Sequence, residues 1–203
     1  ITETNVPHGE NISYFGEGND EAQMVYNFAL PPLLAFSVLK SNTEKLTNWA
    51  KELALPGGGV CFFNFTASHD GIGVRAVNDI LDEKEMSFLV RTSIGHGGYA
   101  SYRAIGDEDE SPYELNCSYI DLLTHPEEDD NIRVKRMILS QAVVLAMPGV
   151  PGIYFHSLVG SRNYHEAVRK TRINRSINRD KLNYDHLKEL LEEEGSLQKI
   201  LFK

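Results

Sequence analysis

Short apolar runs alternate along this chain with longer stretches whose apolar residues recur at three- and four-residue spacing. That is the pattern of β-α units around a parallel sheet, an α/β fold. Met24 to Phe28 (MVYNF) and Val60 to Phe65 (VCFFNF) are almost continuously apolar, which predicts strands buried on both faces. Gly152 to Phe155 (GIYF) predicts a third. Pro31 and Pro32 open a helical run to Lys40, because a first turn needs no N–H from those positions. Thr43 is placed to cap a second helix through Leu53, with Leu46, Trp49, Ala50 and Leu53 on one face. Pro56-Gly-Gly-Gly59 turns the chain back into the sheet.

From Val74 to about Asp130 the pattern changes. Asp82, with Glu85 three residues on, reads as a capping-box-like start to a helix running towards Gly95. Gly97-Gly98, extended aromatic stretches around Tyr99 and Tyr113, and an acidic turn from Asp107 to Glu110 come next. This segment reads as a small excursion standing over the sheet. A long amphipathic helix from Asp129 to Met147 then leads into GIYF, and the tail holds helical segments at Asn163 to Lys170 and Tyr184 to Glu194.

Composition narrows the function classes. The chain has 203 residues, 41% of them apolar and 24% charged, as expected of a folded domain with a core. A formal charge of −9 argues against a nucleic-acid groove, which needs clustered Lys and Arg. No run of roughly 18 apolar residues is present, so no membrane helix is expected. Two cysteines, Cys61 and Cys117, are too few for a disulfide framework, and a reduced, cytoplasmic setting is the expectation. The histidines show no metal-ligand spacing and no phosphate-loop motif occurs, so neither a metal nor a cofactor is expected. The chain opens Ile-Thr-Glu without an initiator methionine, so position 1 is expected to be a cut within a longer protein.

Asn64-Phe-Thr-Ala-Ser-His-Asp-Gly-Ile-Gly73 comes directly after a predicted strand. Loops at the carboxyl ends of such strands carry catalytic groups in barrel folds, and Gly71 and Gly73 permit close backbone approach to Asp70. On residue type alone the segment is equally an Asx-type turn closing a strand.

The same loop resembles the fourth conserved region of the α-amylase superfamily (glycoside hydrolase family thirteen), and His-Asp-Gly-Ile-Gly resembles the form seen in its sucrose-phosphorylase-like branch. Three further pieces resemble that branch in the same order. Ile1-Thr2-Glu3 looks like the end of barrel strand five, Met147 to Phe155 like strand eight with its entering proline turn, and Arg175-Ser-Ile-Asn-Arg179 like an arginine motif just after the barrel. The resemblance implies the C-terminal half, strands five to eight, of a TIM (β/α)8 barrel with a small insertion after strand seven. It divides the chain into strands five to seven with their helices (1–73), an inserted subdomain over the active site (74–130), and strand eight with its flanking helices and the start of the post-barrel region (131–203).

The resemblance also implies roles. Glu3 would be the general acid/base and Asp70 the carboxylate that stabilises the transition state, since acetal cleavage needs a protonated leaving oxygen and a compensated oxocarbenium-like centre. The acid needs a raised pKa, which burial or neighbouring carboxylates supply. The family's aspartate nucleophile, at strand four, would lie upstream of Ile1, so this chain alone is expected to be inactive. His69 and Arg175 would hold glucosyl hydroxyls. Tyr113 and Glu114 resemble the acceptor-site loop, with Glu114 where sucrose phosphorylases usually carry Gln. A carboxylate only accepts hydrogen bonds and repels an anionic acceptor unless a cation intervenes, which favours glucosylglycerol over glucosylglycerate and both over sucrose. Read without the resemblance, Glu3 is a solvated glutamate, His69 a core histidine, Arg175 a surface arginine in a basic run, and Glu114 an exposed loop acid.

The function so implied is that of a retaining α-glucoside phosphorylase, with an α-glucoside and inorganic phosphate as partners and neither nucleic acid nor membrane. Its rivals are a hydrolase or transglucosidase of the same superfamily, and a non-catalytic sugar-binding module. Half a barrel also leaves unpaired sheet edges, for which self-association or pairing with a separate, cleaved partner chain is the expectation.

Overall fold

The computed structural model describes residues 1–105 and 109–203. Thr2 enters beside the first strand as a parallel bridge to Val25, donating to the Met24 carbonyl at 3.0 Å and accepting from Tyr26 N–H at 3.1 Å. Helix α1 (His8–Ser13) leads to β1 (Met24–Tyr26), then α2 (Leu30–Lys40), α3 (Glu44–Glu52) and β2 (Cys61–Asn64). Next come β3 (Ile72–Gly73), a 3-10 turn (Arg75–Val77), α4 (Glu83–Gly95), β4 (Tyr99–Ile105), β5 (Asp109–Asn116) and α5 (Tyr119–Leu122). Helix α6 (Asp130–Ala146) returns the chain to β6 (Val150–Pro151). The tail forms α7 (Phe155–Leu158), α8 (His165–Thr171), a second 3-10 turn (Asn174–Asn178), α9 (Tyr184–Glu192) and α10 (Leu197–Leu201).

The first sheet is parallel, in the order β1-β2-β6, with Thr2 outside β1. The second is antiparallel, in the order β3-β5-β4. Because β3 belongs to it, the excursion's sheet starts two residues beyond Asp70. Part of the acidic turn anticipated at Asp107 to Glu110 lies outside the described residues; Glu110 itself pairs with Ala104.

Three local expectations are corrected. The strands are not buried on both faces: Val25 and Phe62 are sealed against Phe15 and Val60, whereas Met24, Tyr26, Cys61 and Phe63 on the other face are half-buried. GIYF is not a strand. Pairing stops at Pro151, Gly152 makes a last bond to the Asn64 carbonyl at 2.7 Å, and Phe155 begins α7. Thr43 caps nothing with its side chain; Asn42 Oδ1 accepts from Glu44 N–H instead, at 2.8 Å. The capping box does form, Asp82 accepting from Lys84 and Glu85 while Glu85 Oε2 accepts from Asp82 N–H.

One large core joins the two sheets' helices. Leu30, Leu33 and Phe36 of α2 pack with Leu89, Leu115, Ile120 and Met137. Arg133 is buried with them (1% exposed) and ties α6 to the excursion through Asp121, while Asp130 of the same helix takes its Nε and three further carbonyls close its fork. A buried amide ladder crosses the parallel strand ends. Asn27 Nδ2 donates to Asn64 Oδ1 at 2.9 Å, and Asn64 Nδ2 donates to the Pro148 carbonyl at 3.0 Å. Gly149, at φ +132°, lets that turn lie against β2, where a Cβ would strike the Phe62 carbonyl. One flank stays apolar and open: Ile138, Leu145, Ile153, Leu158 and Phe202 line a hollow of about 430 Å³. No helix among the described residues is long and apolar enough to cross a membrane.

Candidate active site

The carboxyl ends of the parallel strands open into one polar cavity of about 290 Å³ that Glu3, His69, Asp70, Tyr113, Glu114 and Arg175 all line. A second hollow of about 210 Å³ shares Glu3, Ser68 and His69 with it and is floored by Tyr26, Phe63 and Tyr154. The sequence-predicted residues thus come from the entering segment, the loop after β2, strand β5 and the second 3-10 turn. They meet in one place.

Glu3 is reached by the bridge that sets Thr2 beside Val25. Its side chain is exposed rather than enclosed, so the burial invoked to tune an acid is not supplied within this chain. It adjoins Tyr26, whose phenol is pushed above its ordinary value by burial and then by the Glu3 charge. Asp70 is more tightly held. Its Oδ1 takes Arg179 Nη2 at 2.6 Å and Arg175 Nη1 at 3.0 Å, with His69 Nε2 at 3.6 Å. His69 is largely exposed at 64%, which removes the reading of it as a core histidine.

Glu114 is not an exposed loop acid. It sits on β5 with its side chain 5% exposed, and Arg175 grips it with both arms of the guanidinium, Nε to Oε1 at 3.0 Å and Nη2 to Oε2 at 2.7 Å. Asn116 Nδ2 donates to the same carboxylate. Hydrogen bonding to Glu114, opposed by burial and aided by the charges of Glu114, Asp70 and Tyr113, holds Arg175 even more firmly protonated than usual. Arg175 is therefore bound to two carboxylates, and it is the cation that intervenes at Glu114. Gly71 makes this assembly fit: a Cβ there would lie 2.5 Å from Glu114 Cγ and 2.6 Å from the Leu115 carbonyl.

Sequence reasoning gave no role to four contributors, two of which, Asn178 and Arg179, lie within the arginine motif it singled out. Asn5 lines the cavity and donates to the Tyr113 carbonyl at 3.0 Å. Arg179 and Asn178 reach back to the Ser68–Asp70 loop. Tyr154 donates to the Asn178 carbonyl at 2.8 Å, and burial pushes its phenol up, with Arg179 opposing and Asp70 adding. Among the described residues no group of three His, Cys, Asp or Glu is placed to hold a metal ion.

No protein-family model matches the chain. Glucosylglycerate phosphorylase of Escherichia coli is 45% identical over 202 residues, covering all of this chain and 36% of that protein. The Spirochaeta thermophila glucosylglycerate phosphorylase is 45% identical over 203 residues, 34% of its length. The chain belongs to the sucrose-phosphorylase-like branch of the α-amylase superfamily. A more distant member of this branch, the sucrose phosphorylase of Agrobacterium vitis, is 30% identical over 76% of the chain and 31% of that protein. The solved sucrose 6F-phosphate phosphorylase from Thermoanaerobacter thermosaccharolyticum superposes with a TM-score of 0.70 at 24% identity, over 88% of this chain and 34% of the other. That likeness supports the mixed α/β, amylase-type barrel fold. The chain spans about a third of the length of the branch members it matches.

Proposed function

We propose that this chain is the part of a retaining α-glucoside phosphorylase that carries its acid/base, Glu3, and its transition-state carboxylate, Asp70. The observation that carries the reading is the convergence of both acids on one sugar-sized cavity at the ends of parallel strands. Thr2, β1, β2 and β6 then correspond to barrel strands five to eight, residues 74–130 to the inserted subdomain, and 131–203 to strand eight with its flanking helices and the start of the post-barrel region. The open edges at Thr2 and β6 and the apolar flank at Ile138 and Leu145 fit a sheet whose remaining strands come from elsewhere in the polypeptide.

In the reaction, Glu3 protonates the departing acceptor oxygen while a glucosyl ester forms on an aspartate outside this chain. Phosphate then attacks the anomeric carbon, Glu3 accepts its proton, and two inversions return the α-anomer as α-glucose 1-phosphate. Asp70, paired with the guanidinium groups of Arg175 and Arg179, faces the positive charge that develops on the sugar.

The acceptor reading changes from the expectation. Glu114 is neutralised by the bidentate grip of Arg175, so its charge no longer disfavours an anionic acceptor. The 45% identity to glucosylglycerate phosphorylases supports glucosylglycerate as the substrate. The test is to incubate the full-length enzyme with phosphate and glucosylglycerate, glucosylglycerol or sucrose, monitoring α-glucose 1-phosphate. Preferential phosphorolysis of glucosylglycerate is expected. Free glucose as the sole product would replace the phosphorylase with a hydrolase.

A further inference from the structure

Between the end of β2 at Asn64 and the start of β3 at Ile72, the loop carrying Asp70 has no sheet ladder for its carbonyls. Three consecutive ones, those of Ser68, His69 and Asp70, are satisfied by a single dipeptide more than a hundred residues away in sequence. Asn178 Nδ2 donates to the Ser68 carbonyl at 3.1 Å and to the Asp70 carbonyl at 2.6 Å, and Arg179 Nε donates to His69 at 2.7 Å. An amide nitrogen has two protons and here meets two acceptors, a match that neither a hydroxyl nor a carboxylate reproduces. Asn178 is itself 6% exposed and is pinned from behind, its carbonyl taking the Tyr154 hydroxyl at 2.8 Å and the Ile177 carbonyl taking Tyr164 N–H at 3.0 Å. The turn therefore has little freedom of its own to lose when it grips the loop.

We infer that Asn178 is a positioning residue: it holds the Ser68–Asp70 backbone so that the Asp70 carboxylate stays aimed into the cavity it shares with Glu3. The inference rests on the catalytic reading of Asp70 above. Asn178 lines neither hollow at the site and acts through the backbone of the loop, whereas Arg175 and Arg179 act on the carboxylate directly.

Two variants test it in the full-length enzyme. Asn178→Leu keeps the branched side-chain outline and removes both donors. Asn178→Asp keeps the shape but sets a carboxylate against two carbonyls until it is protonated, when it regains one O–H donor. A misplaced catalytic group costs on the order of 100-fold in rate, so both variants should lower kcat by about that factor near neutral pH, with KM for the glucoside changed far less. As pH falls towards 5, kcat of Asn178→Asp relative to wild type should recover, while that of Asn178→Leu should not. Parallel pH profiles for the two variants, or a kcat within twofold of wild type in both, would overturn the inference.

Amide hydrogen exchange in the full-length enzyme separates the two readings. In Asn178→Leu the Asp70 amide, which donates to Ser68 Oγ at 3.1 Å, should lose at least about tenfold protection while α6 keeps its own. Equal loss in α6 would mean general destabilisation and would refute positioning. If the wild-type enzyme fails to phosphorolyse any glucoside, the functional reading falls, and the exchange result still decides whether Asn178 organises the loop.

Discussion

Replacing Arg175 with alanine separates two carboxylates that the fold has placed side by side. Glu114 is 5% exposed and would keep only the Asn116 amide as donor, while Asp70 would keep Arg179. Removing one member of a buried pair costs roughly 3–5 kcal/mol. Arg175 is itself 38% exposed, so water reaches the vacated space, and the expected loss comes down to about 2 kcal/mol. Arg175→Lys retains a charge without the fork and should lose about 1 kcal/mol. Glu114→Gln leaves no buried charge and should also cost about 1 kcal/mol. Combined with Arg175→Ala, it should recover at least ~1 kcal/mol relative to the sum of the single losses, because the stranded carboxylate is then gone. Urea unfolding monitored by Trp49 emission suits the measurement, since Trp49 is the chain's single tryptophan and is 5% exposed. Strictly additive losses in the double variant would refute the claim that Arg175 neutralises Glu114.

Gly71→Ala should cost about 1–3 kcal/mol by overpacking against Glu114 and the Leu115 carbonyl, and should lower kcat in the full-length enzyme; an unchanged urea midpoint would contradict the close approach. Burial holds the His8 imidazole below its ordinary 6.5, so the unfolded chain takes up the proton first. The stability this contributes is complete above about pH 6.5 and is lost as pH falls from there through the folded value. Thermal unfolding of His8→Phe, which keeps a ring against Trp49 and Phe62, should depend less on pH between 7 and 5 than wild type does. The Cys117 thiol is pushed up to about 12 by burial, so at pH 8 only about one in ten thousand is thiolate; a thiol reagent should label Cys61 first and Cys117 only on unfolding. The chain expressed alone should show no phosphorolysis, and it should associate with rising concentration through the flank around Ile138, Leu145 and Phe202; a compact monomer at all concentrations in sedimentation would exclude this.

What could be read from the residues was what local chemistry decides. The Asp82/Glu85 box, the proline start of α2 and the span of α6 depend on neighbours three or four positions away, and each formed where its pattern lay. GIYF misled because a four-residue apolar run does not distinguish strand from helix start, and pairing ends at Pro151, just before it. Glu114 misled for another reason: an acidic residue is read as exposed until the partner that offsets its burial is seen, and Arg175 stands 61 positions away. Glu3 stood out only through the order of motifs, and Asp70 also through its place on a glycine-flanked loop after a strand. Asn178 lay inside the arginine motif at 175–179, yet its role was not legible, because an asparagine in a turn looks the same whether it faces water or holds a loop 108 positions back.

That long reach has a bearing on how the molecule is made. A ribosome adding about 5–20 residues per second delivers Asp70 several seconds before Asn178 and Arg179. Until those two emerge, the loop lacks every donor they provide, however well the nascent strands have paired. The Ser68–Asp70 loop is therefore not organised until residue 179 has been made, and a truncation between Pro151 and Asn178 keeps the strands of both sheets but leaves that loop without these donors.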